Sequence, residues 1–514
     1  MIARRAWGSA LPASARRALV ALALIGAAPG LLPGSPARAE PAPTAVDDAT
    51  SLPLHTALDG SYPADGATVD GVREVRLRFT TPVQLSLSRV ELVTRSGPFG
   101  AVGDLETVAG SGDRELRLPL AEPLPPGSYT VRWRTAGPDS HPISGSFAFR
   151  VGGRLAAAGG PGPRPVEATG TEGAAGTGSG PGGGPDQTTQ ARPDTDVAPG
   201  AAEAVPEGPT LPGIAVRWLF YVSIVLTVGC VAFRGLVLPQ IVRDEQLSVA
   251  APRTIRGTWI LAWVGGVLGL LAVPARFWHQ SVLLFGGEAL GSTNLGDLLF
   301  RSVWGKAWFA EAGLAVLFLM GTAWAAPKGM RKRGWALMTL AAVAMCGVPA
   351  VSGHAWAAEE LRTAAVASHG VHVLAAGVWM GSLAVLLFAG LPAYRTLGGR
   401  DALPGLLPGL VNAFSRIALV AVPLLVASGV LNAWIHLDRL GQLFSTAYGR
   451  TLVLKVGAAL AAMALGFYNW RTVRPTLEQD PRAGLLRIPA TLELLIGLGV
   501  LAVTALLISR GLPG

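Results

Sequence analysis

Along this chain the spacing of apolar residues changes character twice. Between residues 55 and 152, apolar and polar positions alternate in short runs at 72–79, 114–118, 128–133 and 146–151, with Pro and Gly between them. A period of two puts every second side chain on one face of an extended segment, so these runs predict strands of a small antiparallel β-sandwich. About 98 residues suffice for one such domain. From 214 to 514 the pattern becomes eight nearly continuous apolar runs, near 216–239, 257–277, 303–325, 335–353, 365–391, 413–435, 451–469 and 488–509. Each is long enough to cross a bilayer as a helix. Between the two regions, residues 153–213 are Gly, Pro, Ala, Thr and acidic residues without periodicity, which predicts a disordered tether that lets the sandwich move over the membrane. At the other end, Arg4, Arg5, Arg16 and Arg17, an apolar run at 18–28 and Ala37-Arg38-Ala39 have the three parts of an export signal. Residues 1–39 are therefore expected to be removed, leaving a short leader at 40–54; the Arg16-Arg17 pair loosely resembles a twin-arginine signal. The expected fold class is mixed: an exported all-β sandwich tethered to an all-α polytopic membrane bundle of eight helices.

Composition agrees with the pattern. Of 514 residues, 50% are hydrophobic and 15% charged, and the mean hydropathy is +0.43, too apolar for a soluble protein of this size. The formal net charge of +9 does not point to nucleic acid, because the basic residues collect in loops. The loops 240–256, 326–334, 392–412 and 470–487 hold thirteen Arg and Lys, against four in the three loops between them. By the positive-inside rule the first set faces the cytoplasm, which puts the sandwich and the C-terminus outside a cell membrane crossed many times. The only cysteines, Cys230 and Cys346, fall inside apolar runs, so neither a disulfide framework nor a thiolate metal site is expected. No phosphate-binding loop, phosphorylation-type Asp motif or nucleophile elbow occurs, so neither an enzyme nor transport driven by nucleotide hydrolysis is expected of this chain. Ser302-Val-Trp-Gly305-Lys306 followed by Glu311 matches Thr446-Ala-Tyr-Gly449-Arg450 followed by Lys455, which predicts two parallel four-helix repeats.

On this topology all seven histidines lie on one side. His279, His354 and His436 end the second, fourth and sixth runs, and His369 and His372 share one helix face near the start of the fifth, a stripe that Trp379 and Met380 continue. A single such histidine reads as an interfacial side chain reaching for water. Five together with none at the opposite face point to a membrane entrance site, because titratable groups inside a span are costly and usually functional. Asn432, one turn before His436, is placed to orient that imidazole. Glu311 and Lys455 occupy matching places in the repeat and are expected to pair across the bundle. In the sandwich, Asp139-Ser-His141 carries a carboxylate and an imidazole two residues apart, and with His55 brought near this is an N,N,O set suited to tetragonal Cu(II); the plain alternative is a solvated turn histidine.

Two stretches resemble known families. Residues 55–66, beginning His55-Thr-Ala-Leu-Asp-Gly, together with 75–82, Asp139-Ser-His-Pro-Ile-Ser-Gly145, Phe147 and Phe149, look like the CopC copper-binding domain. Ser352-Gly-His354, the run His372 to Gly381 with Trp379, Phe414-Ser415, Ser428-Gly429 and the stretch from Thr446 through Lys455 to Asn469 resemble the CopD membrane domain. The resemblance implies a fused protein for copper resistance or import: an outer domain that captures Cu(II), through His55, Asp139 and His141, and a membrane domain that carries copper inward, its oxidation state there left open. Cleavage after Ala39 leaves about fifteen residues before His55, so the free α-amine of the family site is absent unless a second trimming occurs. No methionine lies between Met1 and Met320, so a methionine-rich Cu(I) site is absent from the sandwich. Ser382 follows Gly381 where the resemblance leads one to expect a second glycine, and His369 stands where it leads one to expect an acidic residue, adding a possible ligand. The expected partners are copper and the lipid bilayer, with no nucleic acid. Two other readings stand beside transport: a membrane haem protein with axial histidines, which histidines crowded at one face do not favour, and a copper sensor or chaperone that does not transport.

Overall fold

A computed structural model of the chain describes residues 56–138, 142–152, 209–243, 248–286, 294–326, 332–357, 361–395, 403–437, 439–475 and 483–510. The expected signal, the leader, nearly all of the linker, and His55, Asp139 and His141 lie outside the described residues.

The alternating runs form two sheets face to face. One has the order β1 (Leu58–Tyr62), β3 (Glu74–Phe79), β7 (Glu115–Pro119), β6 (Glu106–Thr107); the other has the order β2 (Thr68–Val69), β9 (Pro142–Val151), β8 (Gly127–Ala136), β4 (Arg89–Thr94), β5 (Gly97–Pro98). Val75, Leu77 and Phe79 of β3 and Leu116 and Leu118 of β7 point inward, against Val90, Leu92, Val131, Trp133, Phe147 and Phe149 of the second sheet. The alternation dictates this, since a slip by one residue would turn every apolar side chain outward. Trp133 lies opposite Gly145 in the β8–β9 register, and a Cβ at Gly145 would sit 2.6 Å from the indole. The missing side chain is what lets the ring lie over β9.

The apolar runs form eight helices: α1 (Leu211–Val242), α2 (Ala251–Phe285), α3 (Val303–Trp324), α4 (Lys332–Val351), α5 (Arg362–Tyr394), α6 (Pro408–His436), α7 (Ala447–Val473) and α8 (Arg487–Ile508). The central one is α5, with 83% of its apolar stretch buried against 11% for α7. It meets α1 backbone to backbone where Gly381 faces Gly229, with no room for a Cβ on either. Ser382, in place of the expected second glycine, is fully buried beside that crossing. Short π-helical turns interrupt α5 at 377–381 and 386–390 and α7 at 469–473. The two sequence-matched segments adopt the same cap: Ser302 and Thr446 each accept from the amide three residues on, at 2.9 Å, and Gly305 and Gly449 each let the preceding turn close against the helix.

The sandwich is seated on the bundle. Leu87 and Ala136 pack into one buried cluster with Leu284 and Phe285 at the end of α2, and with Leu298 and Trp304 at the start of α3. Arg134 donates to the Leu284 carbonyl at 2.9 Å. Burial lowers the pKa of this guanidinium, with a smaller contribution from Arg89. A sandwich moving freely over the membrane is therefore not what these contacts describe. Apolar burial and a charge-assisted hydrogen bond oppose the entropy that free movement would keep.

Candidate metal sites

The sandwich ligand set can be approached only through its flanks. On one side, Thr56 Oγ1 lies 2.6 Å from Thr81 Oγ1, and the Ala57 amide donates to Thr80 Oγ1 at 2.9 Å. On the other, the Gln84 amide donates to the Ala136 carbonyl at 2.9 Å, and Gln84 Nε2 to the Gly137 carbonyl at 2.6 Å. The chain next to His55 and the chain next to Asp139 are thus both tied to residues 80–84. Ala136 also belongs to the cluster that touches α2 and α3.

Within the bundle, the histidines divide by helix. His372 on α5 turns toward α6: its Nδ1 donates to the Leu425 carbonyl at 3.1 Å and lies 3.3 Å from Ser428 Oγ, with Gly429 against the ring. Since a carbonyl only accepts, Nδ1 carries the proton and Nε2 keeps a lone pair for a metal. His369 stands one turn earlier on the same helix. His436 is 9% exposed and donates from Nδ1 to the Asn432 carbonyl at 2.7 Å. Asn432 thus meets the imidazole through its main-chain carbonyl, one turn back on the same helix. Ala350, Ala355, Ala365 and Ile435 pack together, so the helix ends bearing His354, His369 and His436 converge. The side chain of His354 lies outside the described residues. His279 stands apart on α2, with Nε2 3.3 Å from Thr210 Oγ1 at the cap of α1. Among the described residues, no three His, Cys, Asp or Glu side chains come together as a metal site.

Two expectations from spacing need correction. Glu311, 1% exposed, pairs with Arg276 of α2 and not with Lys455, and Arg276 stacks over Phe220 of α1, 4.2 Å from the ring centre. The arginine sits close by on an adjoining helix, while no carboxylate among the described residues lies within 4.0 Å of Lys455. Trp379 and Met380 do not continue the histidine stripe. Both stand within the π-helical turn at 377–381, whose wider winding shifts their direction from that of a regular α-helix. Both side chains reach α8, Met380 against Gly497 and Trp379 donating from Nε1 to Glu493 Oε1 at 3.1 Å, while the Trp379 ring also lines a cavity with Phe414 and Ser415 of α6.

Glu493 was missed by spacing and histidine counting alike. It is 3% exposed on α8 and also accepts from Asn469 Nδ2 at 3.0 Å. A lone carboxylate inside an apolar run was the signal that marked it.

Comparison with known proteins places the sequence among copper-resistance families. The family models described as CopC domain, Copper resistance protein D-like N-terminal domain and Copper resistance protein D match residues 58–152, 209–364 and 408–507. Copper transport protein CutJ of Bacillus subtilis (strain 168) is 24% identical over 470 residues, which are 89% of this chain and 74% of that protein. Copper resistance protein C of Pseudomonas syringae pv. tomato is 32% identical over 101 residues, 19% of this chain and 80% of that protein. The solved structure of PcoC, a methionine-rich copper resistance protein from Escherichia coli, is 27% identical, covering 19% of this chain and 99% of that one with a TM-score of 0.18.

Proposed function

Because the chain belongs to the copper-resistance families CopC and CopD, joined in one polypeptide with eight membrane helices, we propose that it captures copper outside the cell membrane and passes it inward through the bundle. One observation carries the reading. The sandwich end whose residues 80–84 hold the flanks of both predicted ligand segments is the end packed on α2 and α3. Copper held by His55, Asp139 and His141 would then start beside the bundle and not at the far end of a tether. Cu(II) suits two imidazoles and a carboxylate.

The same end of the bundle carries the histidines. His372, with Nδ1 fixed by the Leu425 carbonyl and Nε2 open, is the receiving ligand this reading favours, supported by His369, His354 and His436 on the converging helix ends. His279, held at the α1 cap, serves packing. The distribution of thirteen against four basic loop residues supports an orientation with the sandwich outside.

Cells that depend on this protein for copper are expected to accumulate less of it when His372→Ala or His354→Ala replaces the wild type at equal expression. Accumulation unchanged in both variants and in a full deletion removes transport from the reading and leaves a sensor or chaperone.

A further inference from the structure

The proposed route stops at the histidines, but a second polar centre lies deeper. Two carboxylates are buried in the described spans, and they differ in how their charge is met. Glu311 has Arg276. Glu493 has no Lys or Arg within 4.0 Å among the described residues, and its oxygens accept only from the neutral donors Trp379 Nε1 and Asn469 Nδ2. Each donor stands on a π-helical turn, 377–381 of α5 and 469–473 of α7, a local irregularity that recurs at functional sites. Gly466 of α7 makes the space, since a Cβ there would lie 2.9 Å from Glu493 Oε1.

Beside these paired oxygens one atom is unsatisfied. Asn469 is 8% exposed, and its Oδ1 has no hydrogen-bond partner among the described residues. Glu493 and Asn469 line a cavity of about 220 Å³ together with Ser415, Trp470 and the thioether-bearing Met463. Two N–H donors ease a buried negative charge without cancelling it, and in an apolar interior the remainder calls for a cation. An orphaned amide oxygen beside it calls for the same. Carboxylate, amide oxygen and thioether together are ligands for a transition metal ion.

We propose that Glu493 and Asn469, with Met463 at the cavity wall, bind a copper ion in the half of the bundle remote from the sandwich. Glu493 stands about 9 Å along α8 from the end opposite the sandwich, and Trp379 stands about 10 Å beyond His372 along α5. The site's place as the next stop after the histidines rests on the transport reading; its binding of copper does not.

The test counts copper on the purified full-length protein, titrated with copper alone, as Cu(I) without oxygen and as Cu(II) in air, then desalted. Glu493→Gln keeps the shape and removes the charge, and is expected to hold one copper fewer per chain than wild type in at least one titration. Glu493→Asp, which keeps the charge, is expected to retain that copper. If Glu493→Gln does not stay dispersed, Asn469→Leu takes its place with the same expectation. Equal counts in both titrations overturn the site, including the case in which the carboxyl carries only a proton. No vesicle is involved, so a failure of transport leaves this count standing, and a failure of this site leaves uptake to be judged by itself.

Discussion

The Arg276–Glu311 pair shows at a single site how neighbours decide what a buried charge does. Matching positions 144 residues apart suggested that Glu311 and Lys455 find each other, and the carboxylate instead takes the arginine that α2 brings beside it. Sequence alone reveals that a buried glutamate needs a partner; it does not reveal which helix packs alongside. Arg276 is also stacked on Phe220, so the pair ties α1, α2 and α3 together. Arg276→Met leaves Glu311 buried and unpaired, and is expected to cost about 3–5 kcal/mol. The thermal unfolding midpoint in detergent should fall, and Arg276→Met with Glu311→Leu should recover much of the loss. A single variant as stable as wild type would contradict a stabilising role. Glu493 teaches the complementary lesson, because the sequence marks it only as a carboxylate in an apolar run, and the convergence of Trp379 and Asn469 on it shows only in the fold.

Elements were more legible than sites. Period-two alternation located the strands, and eight long apolar runs located the helices, because burial against water or lipid is decided by side-chain pattern alone. The π-helical turns were not legible, since they arise from how one helix must fit its neighbours. They matter most for α5, where His372 before the turn at 377–381 meets α6 and Trp379 within it donates to Glu493 of α8. The same turn brings Gly381 against Gly229 of α1. Gly381→Leu is expected to force α1 and α5 apart at a cost of about 1–3 kcal/mol or more. A lower unfolding midpoint and loss of copper accumulation should accompany each other, whereas a fully stable, fully active Gly381→Leu would show that the close crossing is dispensable.

For the whole molecule, the two families were readable from their motifs, but how the two parts sit on each other was not. A Gly- and Pro-rich linker suggests freedom, and nothing in its composition announces that Leu87, Ala136 and Arg134 meet α2 and α3. On the proposed reading, that contact joins the two copper-family domains in one path, which would run from the sandwich past the histidine-bearing end of the bundle to Glu493. The path is tested most directly by copper uptake into proteoliposomes that hold the purified full-length chain with the sandwich facing the added copper. Accumulation above that of protein-free vesicles, reduced by His372→Ala, is the predicted result. Uptake no greater than in protein-free vesicles, from a protein that still binds copper, would contradict it.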